Sequence, residues 1–284
     1  MKRRAFTMLA AAPLLLAAGC GRKEAAQAAA SAAGATDDKT LSLIMSDAGF
    51  NSEVVPILKA EMARQGFKLE WVVVNDIIQP NKMVDEGLAD ANSFQHEPYF
   101  DQFKQDHGLK RVTRGFYTVF APSGLFSRKY KSLSQVPDGA TIGIPVDPSN
   151  NGRALFMLRD KGLLKLREGV NVTHARIKDI TDNPHNFRFR EVDQLMLQRT
   201  LDDVDVGFLF LGVALKIGLD PKKDALAIEP EHDIAYKGIV AVRPEILGTP
   251  KLKALQNAYG SDALKAYFHK QYGDAITFLD KLNS

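Results

Sequence analysis

Thr141-Ile142-Gly143-Ile144-Pro145-Val146-Asp147-Pro148-Ser149-Asn150-Asn151-Gly152-Arg153 reads as a strand, a turn and the start of a helix. Thr141 to Ile144 is a short apolar run. Asp147-Pro148 opens a turn, and Ser149 or Asn150 can cap a helix expected from about Gly152 to Lys161, with Gly162 as its stop. The same succession recurs on both sides. Upstream, a strand at Leu41–Met45 precedes a helix at Ser52–Gln65. Phe67, Leu69, Trp71 and Val73 then alternate with Lys68, Glu70 and Val72 at the period of a strand. Short helices at Asn81–Glu86 and Pro98–His107 lead to a strand at Val112–Phe120. Downstream, a helix at Asp193–Thr200 precedes strands at Val204–Leu211, Ala225–Ile228 and Ile239–Val242, and helices from Leu252 and Ser261 close the chain. Such alternation implies an α/β class with mostly parallel sheets. The region from Lys39 to Ser284 is long enough to bury a substantial core, as one large or two smaller domains.

The N-terminus carries a different signal. Lys2, Arg3 and Arg4 are followed by an almost wholly apolar run from Ala5 to Ala18, then Gly19 and Cys20. A basic start, a short apolar stretch and small residues before a cut site describe a secretory signal, too short to span a bilayer. Cys20 is the sole cysteine of 284 residues and cannot form an internal disulfide. Leu16-Ala17-Ala18-Gly19-Cys20 resembles a lipobox, with the leucine one position farther from the cysteine than usual. Lipidation of Cys20 would tether the chain to a membrane without spanning it. Arg3-Arg4-Ala5-Phe6 fits either a twin-arginine export signal or a plain basic start. The Ala-rich stretch from Gly21 to Asp38 reads as a tether.

Composition and motifs exclude several chemistries. Net charge is +3, with 37 basic against 34 acidic residues, and no basic block or RNA-binding motif indicates nucleic acid. A cysteine nucleophile is excluded if Cys20 is lipidated, and neither a G-x-S-x-G elbow nor an H-E-x-x-H motif is present. The six histidines are scattered. Asp202, Asp203 and Asp205 read as a solvated turn rather than a metal site. No metal, cofactor or catalytic residue is expected.

Two constellations suit ligand capture. Phe94-Gln95-His96-Glu97-Pro98-Tyr99 concentrates aromatic and hydrogen-bonding groups at a strand-to-helix junction, where α/β folds often line pockets. Phe94 and Tyr99 could wall an apolar ligand group and His96 could supply a polar contact; alternatively, the rings are core and His96 is a satisfied surface residue. In the second, Arg153 near a helix start works against the helix dipole unless it has an anionic partner. A ligand carboxylate would suit both the helix start and Arg153. A nearby Asp or Glu would satisfy Arg153 equally well. Asp76, in Asn75–Asn81, is expected to fix its loop through its own side chain.

Together these segments resemble the NlpA lipoprotein family, whose best-known members are methionine-binding lipoproteins of ABC importers. The resemblance runs from Cys20 through Asn75–Asn81, Gly87–Asn92, Phe94–Tyr99, Ile144-Pro145, Asp147–Asn150, Gly152–Leu155 and Asp182–Phe187 to Leu201–Asp205. It implies a periplasmic-binding-protein fold: two α/β lobes with a ligand cleft between them, joined by crossover strands. Lobe I is expected at 39–122 and 230–284, lobe II at 123–229, after a signal at 1–20 and a tether at 21–38. It also implies a lipid-anchored protein of the cell envelope that faces the periplasm. Such a protein captures a small carboxylate or amino-acid ligand for a permease and ATPase complex, and is no enzyme. Arg153 would hold the ligand carboxylate beside Asn150, while Phe94, Tyr99 and His96 enclose the side chain.

Three positions depart from the family pattern: Ile77 replaces a usual tyrosine, and Phe210 and Gly238 replace asparagines that hold the ligand's backbone. Loss of both amides points away from free methionine. It favours a related carboxylate without a free zwitterionic backbone, such as an acylated or peptide-like derivative, with Phe210 filling the space. The rival readings are a ligand-sensing lipoprotein outside transport, and a hydrolase using His96. The carboxylate role requires that Arg153 is not already neutralised by an internal acid.

Overall fold

β-branched and apolar runs form the strands, and Pro and Gly punctuate the helices between them. The computed structural model describes residues 39–46, 51–229 and 236–278. The expected signal, Cys20, the 21–38 tether and the boundary at residue 230 lie outside them. In chain order the main elements are β1 (Thr40–Ser46), α1 (Asn51–Arg64), β2 (Lys68–Val74), α2 (Gln79–Asp85), β3 (Ala91–His96), α3 (Glu97–His107), β4 (Thr113–Tyr117), β5 (Val119–Phe120), β6 (Ser123–Phe126), β7 (Thr141–Pro145) and α4 (Pro148–Asp160). There follow β8 (Lys165–Leu166), β9 (Ile180–Asp182), β10 (Arg188–Val192), α5 (Leu197–Thr200), β11 (Val206–Phe210), α6 (Leu211–Lys216), α7 (Pro221–Asp224), β12 (Ala225–Ile228), β13 (Gly238–Val242), α8 (Pro250–Tyr259), α9 (Asp262–Tyr272) and β14 (Thr277–Phe278).

Two five-stranded sheets result, in the orders β2-β1-β3-β13-β4 and β10-β7-β11-β6-β12. β1 is parallel to β2 and β3, and β7 is parallel to β10 and β11. β13 and β6, however, run antiparallel to both of their neighbours. The sheets are therefore mixed rather than mostly parallel. A strand delivered by a crossover helix lies parallel to its predecessor. β6 instead arrives from β4 of the other sheet through residues 118–122, so no crossover helix sets its direction. The single strand expected at Val112–Phe120 breaks at Thr118, whose N–H donates to the Gly238 carbonyl.

Each sheet has its own core. Leu41, Leu43 and Met45 of β1 pack with Val54, Val55, Leu58 and Met62 of α1 and with Leu255 and Phe268 of α8 and α9. Ile142, Ile144, Leu155, Leu158, Phe208 and Leu209 centre the second. Full burial of such side chains contributes roughly 1.5–3 kcal/mol each. β2 is the exception: it is an edge strand, only Leu69 is buried, and Trp71 and Val73 are 41% and 39% exposed. Its alternation marks a strand but not a buried face. Among the described residues no helix is long and apolar enough to cross a membrane.

Candidate ligand-binding site

β3 ends where α3 begins, and His96 stands at the join. It is the N-cap of α3, with Nδ1 accepting the Tyr99 N–H at 3.1 Å and Pro98 in the first turn. Because Nδ1 accepts an amide proton, the ring proton sits on Nε2, which donates to Asn150 Oδ1 at 2.9 Å. Burial, and secondarily the Arg153 charge, lower the His96 pKa from 6.5 to about 3, so the ring is neutral. Tyr99 turns its ring edge-on to Phe94, centroids 6.0 Å apart, and its hydroxyl donates to the Ile77 carbonyl at 3.0 Å. Asp76 accepts from the amides of Ile78 and Gln79, which fixes that loop as expected.

The opposite wall comes from α4. Its N-cap is Asp147, not Ser149 or Asn150, and it starts at Pro148, a turn before the expected Gly152. Asp147 Oδ1 accepts from Asn150 N and from Asn150 Nδ2, both at 3.0 Å, and from Ser149 Oγ at 2.8 Å. Asn150 Oδ1 is thereby turned to His96 and to Arg153 Nη1, the latter at 3.1 Å. Arg153 lies beyond the first turn of the helix, so the dipole conflict inferred for it does not arise.

Arg153 already has an anion. Nε donates to Glu229 Oε1 at 2.9 Å and Nη2 bonds Oε2, with both side chains 3% exposed or less. Glu229 Oε2 also accepts from Ser123 N at 3.0 Å. The guanidinium lies 4.3 Å over the Tyr236 ring. Of the two partners open to Arg153 from the sequence, a ligand carboxylate or a nearby acid, the acid is present as Glu229, and Asp147 occupies the helix start that the same carboxylate would have shared. This internal acid is the circumstance that the carboxylate role of Arg153 had to avoid.

All six expected site residues, Phe94, His96, Tyr99, Asn150, Arg153 and Phe210, nevertheless line one cavity of about 130 Å³ between the two sheets. Gly238 is also on the wall; Ile77 is not. A Cβ at Gly238 would lie 2.6 Å from Thr118 Oγ1 and 2.9 Å from the Val119 carbonyl, so this backbone leaves no room for a side chain there. Among the described residues, His96 bonds Asn150 across the cleft and Tyr236 Oη donates across it to the Ser149 carbonyl at 3.0 Å. Sequence reading missed Gln194 and Tyr236 on the wall and Glu229 behind Arg153. Glu229 is 76 residues from its partner, and no local pattern announces it.

The acidic cluster is ion-paired: Asp202 with Arg128, Asp203 with Arg190, and Asp205 with Lys129 and the Thr141 amide. No group of side chains able to hold a metal occurs among the described residues.

Residues 47–278 match the family model described as NlpA lipoprotein. The D-methionine-binding lipoprotein MetQ of Salmonella typhi is 36% identical over 221 residues, covering 77% of this chain and 80% of that protein. A nutrient-binding protein from Burkholderia cenocepacia, solved bound to methionine, is 34% identical with a TM-score of 0.78, over 84% of this chain and 99% of that one. A periplasmic substrate-binding protein of an ABC transporter from Coxiella burnetii is 32% identical with a TM-score of 0.78, over 84% and 100%. The two sheets with a cavity between them are the two-lobed α/β arrangement of a periplasmic binding protein, and the chain belongs to the NlpA lipoprotein family.

Proposed function

We propose that this chain is the solute-binding lipoprotein of an ABC importer. Anchored through Cys20 to a membrane of the cell envelope and facing the periplasm, it captures methionine or a closely related carboxylate and passes it to a permease and ATPase complex. The two lobes that close on the ligand are 39–122 with 230–284, and 123–229. The observation that carries this reading is the cavity itself. Aromatic rings of Phe94, Tyr99 and Phe210 stand on its wall together with Arg153, the one formally charged side chain there among the described residues.

The rings receive the apolar thioether; the carboxylate role expected of Arg153 is withdrawn, because Glu229 already neutralises its guanidinium. Glu229 and Tyr236 hold the guanidinium plane in place on the cavity wall. Glu229 also offsets its charge, so the cavity wall carries a matched ion pair there and not a bare cation. Turnover is disfavoured by His96: one ring nitrogen caps α3 and the other bonds Asn150, so neither is available as a general base.

Native mass spectrometry of the purified protein tests the reading. The expected result is one bound solute per chain, of methionine or a close relative, released unchanged on unfolding. A chemically altered product, or saturating affinity for an unrelated solute in place of this class, would overturn it.

A further inference from the structure

Gln194 was assigned no role by sequence, yet it stands on the cavity wall. Its Nε2 donates to Asp147 Oδ2 at 3.3 Å. Burial raises the Asp147 pKa, while the three further donors at Oδ1 and the Arg153 charge act against that shift and favour the acceptor-only carboxylate that the Gln194 N–H bond needs. An acceptor at that position settles which way the Gln194 amide points. The nitrogen faces Asp147, and Oε1 is directed elsewhere. No described residue donates to that oxygen. The same carboxylate orients Asn150 in the same way, but Asn150 Oδ1 is already taken by His96 and Arg153.

The charges around the cavity are arranged asymmetrically. Arg153 is matched by Glu229. Around Tyr99 and Gln194 the nearby charges are carboxylates. Burial holds the Tyr99 hydroxyl above its usual range, and Asp147, Asp76 and Asp193 add to the effect. A ligand bearing only a carboxylate would bring an additional negative charge into this setting. A zwitterion brings none, and its ammonium group is attracted to the carboxylate side.

We propose that Gln194 Oε1 accepts a hydrogen bond from the ligand's amino group, so that the cavity selects zwitterionic amino acids over carboxylates that lack a free amine. The inference rests on the capture reading above and reverses the expectation of an acylated ligand. Asp147 acts through Gln194 as a positioning residue: it fixes the amide's orientation and strengthens its oxygen as an acceptor.

Three compounds sharing a carboxylate and a thioether but differing at nitrogen separate the alternatives: methionine, N-acetylmethionine and 4-(methylsulfanyl)butanoate. Calorimetric titration of the wild-type protein is expected to show methionine binding at least tenfold more tightly than the other two. In Gln194→Leu the methionine affinity should fall about tenfold or more and that for 4-(methylsulfanyl)butanoate markedly less, so that the discrimination between them is lost, with an unchanged thermal midpoint as the control for an intact fold. Equal wild-type affinity for methionine and the amine-free compound would overturn the assignment. So would undiminished discrimination in Gln194→Leu. If the wild type binds none of the three, the capture reading itself fails, and this inference falls with it.

Discussion

Arg153 and Glu229, 76 residues apart in the chain, meet edge to edge in the interior with Nε and Oε1 2.9 Å apart. A buried pair of this kind gives little net stability, because desolvation offsets attraction, but removing one partner strands a charge. Glu229→Gln should therefore destabilise the fold by about 3–5 kcal/mol. The double variant Arg153→Met with Glu229→Leu should recover most of that loss. Urea unfolding of the three proteins measures it; a near-wild-type Glu229→Gln would mean that Arg153 is not held as a buried ion.

His96 gives the fold a defined acid sensitivity. The unfolded ring takes a proton below pH 6.5 and the folded ring only below about 3. Its contribution is complete above pH 6.5 and is lost as the pH falls towards 3, at up to about 1.4 kcal/mol per pH unit. Asn is itself a good helix cap. His96→Asn should flatten the decline in unfolding free energy between pH 6.5 and 4. An unchanged slope would place the acid sensitivity elsewhere.

Gly152 lies inside α4, where alanine would ordinarily gain roughly 1 kcal/mol of helix propensity. Here a Cβ would run into the Val172 carbonyl, a backbone atom that cannot swing aside. Overpacking costs roughly 1–3 kcal/mol or more and should prevail. Gly152→Ala is expected to lower the thermal midpoint; a rise would show that the segment around Val172 gives way.

Gly238 is held by the same physics. Introducing the asparagine typical of the family should destabilise the protein by about 1–3 kcal/mol through Thr118 and Val119, without improving methionine affinity. Differential scanning calorimetry and titration of Gly238→Asn check both halves. Tighter binding with an unchanged melting temperature would contradict this account.

Much of this architecture was legible along the chain. Glycines that stop helices proved to adopt positive φ, as at Gly87, Gly108 and Gly162. The apolar periods located β1, β7 and β11, and the Phe94–Tyr99 and Asp147–Arg153 motifs reach the same cavity. Strand direction was not legible, because β6 and β13 change sheets and nothing in their own residues records it. Burial on β2 was not legible either, since alternation cannot tell an edge from an interior strand. The partner of Arg153 stayed hidden for a similar reason: Glu229 is brought to it only by the fold of the second sheet. Asp147 was read as a turn residue although it orients two amides at the site, a role visible only once Gln194 is beside it.

Everything proposed above requires that the solute is captured in the cavity between the sheets. Calorimetric titration of ligand-free protein with D- and L-methionine, beside Phe94→Ala and Phe210→Ala, tests it most directly. Binding of one ligand per chain is expected, weakened about tenfold or more in each variant by loss of an aromatic wall, since each buried ring is worth roughly 1.5–3 kcal/mol. Wild-type affinity in both variants would contradict the account.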